Sequence, residues 1–258
     1  MSTKDFKPVQ ATLRVTRKKY ITPHYIRVWL TGENIDDFSD TVVGEHNKIL
    51  IPNKGVNEIH FPHFDTEKRR WIQPDESVRP IIRTFTHRGI DLNTKEIWID
   101  FAVHGNESPA SSWAIRATKG SLLGVMMKSG EGQLFPLVEN CLLVADATGI
   151  PVVSVILENL PKGSKGTCII EVHSAEDVQE ISTRAAVDFH WIFNSTPGQN
   201  SGLAAAVKKL VLPEQDRYAY IAAEQRTVKE LREYLRKEKS YTTDELEAYA
   251  YWKMGSSE

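Results

Sequence analysis

The sequence predicts a two-domain β plus α/β protein, with an antiparallel barrel or sandwich over residues 1–136 and a parallel-sheet domain over 137–258. Three observations predict it. The first half falls into short runs rich in β-branched and aromatic residues. From about residue 137 continuous apolar strands alternate with helical patterns, the signature of a parallel sheet covered on both faces. The length of 258 residues suits two ordinary domains.

Six strands are expected in the first half. "QATLRVTRKKYI" and "YIRVWLTG" are separated by a turn at Thr22, Pro23 and His24. "NKILIP", "PIIRTFTHR", "EIWIDFAVHG" and "SLLGVMM" complete the set. Residues 53–79 interrupt the series as a long polar loop, and a loop of that length inside a compact domain is often functional. One helix, "SPASSWAIRATKG", enters with Ser108 as N-cap and Pro109 as its first residue. Ala110, Trp113, Ala114 and Ala117 share a face, and Gly120 ends the element.

In the second half "CLLVA" is a buried strand and "GIPVVSVILENL" a helix closed by Pro161. "TCIIEVH" and "AVDFHWIFN" are strands, "GLAAAVKKLV" a helix and "RYAYIAA" a strand. "RTVKELREYLRKEK" is an amphipathic helix with Val228, Leu231 and Leu235 in register.

Composition narrows the function classes. Hydrophobic residues make 41% of the chain and charged residues 26%, enough for a core. A net charge of −2 gives no electrostatic case for nucleic acid. The two cysteines, Cys141 and Cys168, each lie in an apolar run and read as core residues of a reducing compartment. "MSTKDFKPVQ" shows no apolar signal region. The most apolar stretch, "CLLVADATGIPVVSVILENL", is broken by Asp146, Gly149 and Pro151, so no membrane span is expected. These features describe a cytoplasmic protein.

The strand "PIIRTFTHR" carries the first candidate chemistry. Arg83, Phe85 and His87 alternate with Thr84, Thr86 and Arg88 on opposite faces. A guanidinium pairs with phosphate, an aromatic ring stacks on a flat heterocycle, and threonine bonds its polar edge. A flavin has those needs, although an ordinary surface strand would show the same residues as cross-strand partners. In "EIWIDFAVHG" the face of Ile97, Ile99, Phe101 and Val103 is apolar, and the other carries Trp98, Asp100, Ala102 and His104. The helix start at Ser108 follows directly, and helix N-termini suit diphosphates.

In this order "RTFTHR", "IDFAVHG", "SPASSW", "LLVADATGIP", "YIAAEQRTVKELREYLR" and "YAYWKMG" resemble the siderophore-interacting proteins, FAD-dependent ferric-siderophore reductases within the ferredoxin–NADP reductase superfamily. The resemblance covers roughly Val9 to Gly255. It implies a six-stranded antiparallel FAD-binding barrel followed by an NAD(P)-reductase-like α/β domain. It places FAD on Arg83, Thr84, Phe85, Thr86 and Arg88, with Phe85 where the family has tyrosine. Asp100, Phe101 and His104 match the family's "DFVLHG". Pro109, Ala110 and Ser111 match its diphosphate-holding "GPAS", with Ser108 in the glycine position.

The family also draws anionic ferric chelates with a small basic group, which implies substrate-binding roles for Lys48, Lys128 and Lys253, with Arg69 and Arg70 as further candidates. "DATGIP" resembles the superfamily's nucleotide turn, which gives Thr148 and Gly149 a cofactor-side role, and Glu224 in "AAEQR" matches a family glutamate at the nicotinamide site. Glu171, Glu176 and Asp177 crowd the strand end expected at the adenosine ribose, so the donor is open between NADH, NADPH and reduced ferredoxin. The implied activity is outer-sphere reduction of chelated Fe(III) by a monomer, with no catalytic side chain and no protein-bound metal. Two other functions fit less of the pattern: a flavodoxin or ferredoxin reductase acting on a protein partner, and a non-catalytic ferric-siderophore binding module.

Overall fold

A computed structural model describes residues 8–103, 108–130 and 132–256, and the chain divides into two compact units. The first comprises residues 1–20 and 26–132, and the second residues 21–25 and 133–258.

The first unit is built on a seven-stranded half-barrel sheet. Its strands are β1 (Pro8–Thr22), β2 (Tyr25–Thr31), β3 (His46–Ile51), β6 (Ile81–Thr86), β7 (Gly89–Asp91), β8 (Glu96–Ala102) and β9 (Leu122–Lys128). A separate ribbon holds β4 (His63–Asp65) and β5 (Arg70–Ile72). The sheet order is β6-β3-β9-β1-β2-β8-β7. All six expected strands are present. The seventh, Gly89–Asp91, is a correction to the expected count: it is only three residues long and pairs antiparallel with β8. Alternation explains the core. Ile49 and Ile51 of β3, Ile97, Ile99 and Phe101 of β8, and Leu123, Val125 and Met127 of β9 point inward into one apolar cluster.

The helix α1 (Pro109–Arg116) closes on that cluster with Ala110, Trp113 and Ala114. It stops at Arg116, with Ala117 as C-cap, rather than at Gly120, whose φ of +88° instead turns the chain into β9. Segment 53–79 is also not a plain loop, because β4 and β5 pair within it. Ile59 and Phe61 of that segment rest on the outer face of β3 and β9. A Cβ at Gly124 would lie 2.6 Å from Ile59 and 3.2 Å from Phe61, so only glycine admits this approach.

The second unit is a five-stranded sheet ordered β12-β11-β10-β13-β14. Its elements are β10 (Asn140–Asp146), α2 (Ile150–Asn159), β11 (Lys165–Val172), β12 (Ala186–Phe193), α3 (Leu203–Lys208), β13 (Arg217–Glu224), α4 (Gln225–Lys237) and β14 (Leu246–Trp252). All its strand pairs are parallel. Every residue of β13 is buried, as a central parallel strand requires. The stripe of Val228, Leu231 and Leu235 on α4 is at most 1% exposed, and each such burial contributes roughly 1.5–3 kcal/mol. Cys141 and Cys168 are buried and free, as their apolar runs suggest. The expectation did not include β14, which pairs parallel with β13 at the sheet edge. No helix among the described residues is long and apolar enough to cross a membrane.

The chain starts this sheet in its middle. It runs from β10 outward to β11 and β12, then returns to the other side for β13 and β14. The strand order therefore switches between β10 and β13, and in open α/β sheets ligands bind outside the carboxyl ends of the strands at such a point.

Candidate functional site

In the first unit the site builds from β6. Ile81 and Phe85 face the barrel core, so Arg83 between them shares that face. Both Arg83 and Phe85 are half-buried. The guanidinium donates to the Ile82 carbonyl at 2.9 Å and has no carboxylate partner among the described residues. Phe85 stacks on Phe101 at 4.7 Å between centroids, and Phe101 lies 5.6 Å from Trp113 of α1. Three rings thus fix β6 against the helix.

At the start of α1, Ser108 has extended backbone and makes no side-chain cap. Pro109 has no N–H, and the Ser108 carbonyl takes the Ser112 N–H at 2.9 Å. The first-turn N–H groups of Ala110 and Ser111 have no helical acceptor, because their i−4 carbonyls lie outside the helix. Ser111 Oγ donates to the Ala102 carbonyl at 3.1 Å, tying the helix start to the end of β8. An arginine without a carboxylate partner among the described residues, a held aromatic ring and a helix start that Ser108 does not cap fit the phosphate and ring of a flavin nucleotide.

Other expected residues are engaged differently. Asp100 is 3% exposed. Its carboxylate takes Arg27 Nε at 2.6 Å and Arg27 Nη2 at 2.8 Å, and Arg88 Nε lies 3.5 Å away. A buried carboxylate must be paired, and Asp100 is paired by the two-pronged bond from Arg27, with Arg88 as a second, longer-range cation. Phe101 is fully buried and can act only through Phe85 and Trp113. Thr86 is also buried, at 3% exposure. His104 lies outside the described residues.

The outer face of the same sheet carries the cations. Lys48 stands opposite Thr84 on β6 and bonds its hydroxyl. Lys48 also stands opposite Met126 on β9, two residues from Lys128. Both lysines are exposed. His46, two residues before Lys48 on the same face, is held below its usual pKa, first by burial and also by the charges of Lys48 and Lys128, against the opposing pull of Glu45. The pairing register thus brings Lys48, Lys128 and His46 together. Among these, His46 was missed in the sequence, because its proximity to Lys128 depends on a strand about 80 residues away.

In the second unit the switch point is lined by carboxylates. Asp146 ends β10, and its Oδ1 accepts from Thr148 N at 2.9 Å and Thr148 Oγ1 at 2.6 Å. Its Oδ2 accepts from Glu224 N at 2.8 Å and Trp252 Nε1 at 2.7 Å. Burial raises the Asp146 pKa, and the four donors oppose that rise. Glu224, 3% exposed, caps α4 by accepting Arg226 N at 2.5 Å and takes Met254 N at 3.2 Å. Thr148 and Glu224, expected on the cofactor side, are here bonded within the chain. Glu171 accepts from Asn194 Nδ2 at 3.1 Å and Gly202 N at 2.7 Å. Asp177 accepts from His24 N at 3.1 Å and meets His24 Nδ1 at 2.9 Å. Lys253 is exposed.

Comparison with known proteins is consistent across the whole chain. Residues 14–131 match the family model described as the siderophore-interacting FAD-binding domain, and residues 138–255 match the one described as siderophore-interacting protein. The ferric vibriobactin reductase ViuB of Vibrio cholerae is 32% identical over 248 residues, covering 95% of this chain and 90% of that protein. The NADPH-dependent ferric-chelate reductase of Escherichia coli is 26% identical, over 93% of this chain and 91% of that one. The crystal structure of SipS from Aeromonas hydrophila superposes with a TM-score of 0.81 at 30% identity, covering 96% of this chain and 92% of that one.

Proposed function

The chain belongs to the siderophore-interacting protein family, and from that premise we propose that it is an FAD-dependent ferric-siderophore reductase. The observation that carries the reading is the arrangement around β6. Arg83 and Phe85 stand half-open on one face, while Thr84 and Lys48 bond on the other, so a cofactor anchor and a chelate-attracting cation share one strand pair.

Arg83 and the N–H groups of Ala110 and Ser111 would hold the phosphates, and Phe85, backed by Phe101 and Trp113, would hold the ring system. When bound, FAD supplies electrons that pass singly to chelated Fe(III). Lys48 and Lys128 on the first unit attract the anionic chelate, and Lys253 of the second unit is a further chelate-binding cation on its own unit. Hard oxygen ligands favour Fe(III) over the softer Fe(II), so reduction loosens the chelate and releases iron. No side chain need ligate iron, attack substrate or carry a proton, and a monomer suffices.

The donor is a nicotinamide nucleotide bound at the switch point of the second unit, or reduced ferredoxin. The Escherichia coli relative is NADPH-dependent by name. Two of the three acids crowding the expected ribose end, Glu171 and Asp177, bond within the chain, and the nucleotide donor stays open between NADH and NADPH. Two buried free thiols suit a reducing cytoplasm.

An anaerobic absorbance titration tests the reading. Flavin bands should bleach with NADH, NADPH or reduced ferredoxin and return when an Fe(III) siderophore is added, while a ferrous trap colours. Replacing Arg83 by alanine should lower bound FAD about tenfold or more, the scale of one lost charge-assisted phosphate contact. A colourless protein that cannot be reconstituted with FAD would leave a binding module in place of an enzyme.

A further inference from the structure

We infer that Asp146 and Glu224 are positioning residues that clamp the C-terminal segment on both sides of Lys253 and so fix where its charge meets the chelate. The inference rests on the reading above, in which Lys253 binds an anionic ferric chelate.

The two carboxylates end neighbouring strands at the switch point, and each takes one residue of the tail. Trp252 Nε1 donates to Asp146 Oδ2 at 2.7 Å, and Met254 N donates to Glu224 Oε1 at 3.2 Å. Lys253 lies between these two tethered residues and is the exposed one of the three. A third support comes from Gly198, whose φ is +79°. A Cβ there would lie 2.6 Å from the Trp252 ring and 3.4 Å from Met254 Cβ, so both flanking residues rest on this turn. The turn is itself braced, since Asn194 Oδ1 accepts from Thr196 N at 3.0 Å and Asn194 Nδ2 donates to Glu171.

The approach to the clamp is also shaped for it. The β13–β14 register shifts between Ala223 and Glu224, so Trp252 rather than Tyr251 faces Glu224. Bulges of this kind re-aim side chains beside functional sites. Beyond the clamp, Ser256 N bonds the Lys253 carbonyl at 3.2 Å and Gly255 takes a φ of +79°, which closes the segment into a turn. A lysine on a free tail must order its backbone as well as its long side chain when it binds. Here the backbone is ordered beforehand, by groups that themselves never touch substrate.

The test is a double-mutant cycle with W252F and K253A in the FAD-loaded full-length protein. The probes are a Ga(III) tris-catecholate, with binding read by calorimetry, and its Fe(III) counterpart, with KM and kcat read separately. K253A should weaken Ga(III) chelate binding and raise KM about fivefold, with kcat within about twofold. W252F keeps the ring on Gly198 and removes only the N–H. It should weaken binding about two- to threefold in the wild-type background and add nothing in the K253A background. Bound FAD should be unchanged in both. G198A, which pushes on the Trp252 ring without altering either carboxylate, should repeat the W252F pattern and stands in for it if W252F folds poorly. An equal W252F effect in both backgrounds would overturn the inference, and so would a K253A protein that binds the chelate like wild type. A wild-type flavin that the Fe(III) chelate does not reoxidise would instead defeat the reductase reading, while the Ga(III) binding cycle would still report on the clamp.

Discussion

Each unit holds an engaged aspartate in its candidate site, Asp100 buried within β8 and Asp146 half-buried at the end of β10, and the two are held in opposite ways. Asp100 in the half-barrel is held by cations, Arg27 in a two-pronged bond and Arg88 at 3.5 Å. Asp146 in the α/β unit is held by four neutral donors and, among the described residues, no cation. The difference teaches what each site is prepared for. Arg27 and Arg88 lie against Asp100, whereas Arg83 of the same sheet has no carboxylate partner among the described residues. Asp146 organises a turn, a strand end and the tail through dipoles, so it gathers backbone without placing a compensating charge at the switch point.

The sharpest way to break the comparison is to remove Asp100. Asp100→Ala leaves Arg27 and Arg88 partly buried without a counter-charge, and losing one partner of a buried pair costs about 3–5 kcal/mol. The urea midpoint of the barrel unit and its bound FAD should both fall, and an unchanged midpoint would mean the arginines are not held by this carboxylate. Asp146→Asn should cost less, about 1–3 kcal/mol, because the amide keeps one acceptor oxygen but turns an NH2 toward donors that the other carboxylate oxygen held.

Its pH dependence sharpens the contrast. Burial raises the Asp146 pKa above its unfolded value, so the native state binds more protons than the unfolded chain between the two values. The contribution of Asp146 is therefore fully present below the unfolded carboxylate range and declines as pH rises through the raised native pKa. Urea midpoints of wild type and Asp146→Asn, compared across mildly acidic pH, should converge or cross in that direction. The smallest effect belongs to the exposed cations. Lys48→Ala should raise the chelate KM by about fivefold or less, the scale of one exposed charge interaction, with FAD content and the urea midpoint unmoved.

Much of the fold was legible because it is written in local rhythm. Strands of six residues or more, such as His46–Ile51 and Glu96–Ala102, carry enough alternation to be read. Gly89–Asp91 is too short for alternation to register, and the β4–β5 ribbon is made of two three-residue strands in polar surroundings. The tail "LEAYAYW" carries strand-forming residues, but it was read only as part of a motif.

The site was legible where it is local. Arg83 and Phe85 lie within one strand and the helix start follows its own cap rule. It was illegible where partners come from elsewhere. Arg27 reaches Asp100 from 73 residues away and Trp252 reaches Asp146 from 106, so no spacing could show that these aspartates were already engaged. Glu224 shows the same limit, since neither its capping of α4 nor its hold on Met254 was readable from spacing.

The clamp on the tail also bears on the order in which the second unit matures during synthesis. The chain makes Asp146 early in this unit, Glu224 much later, and Trp252 after every other strand of the sheet. Until that indole arrives, Asp146 Oδ2 lacks one of its two donors and Glu224 Oε1 lacks the Met254 N–H. A carboxylate made early in the unit is thus completed by the last strand of the sheet to be synthesised.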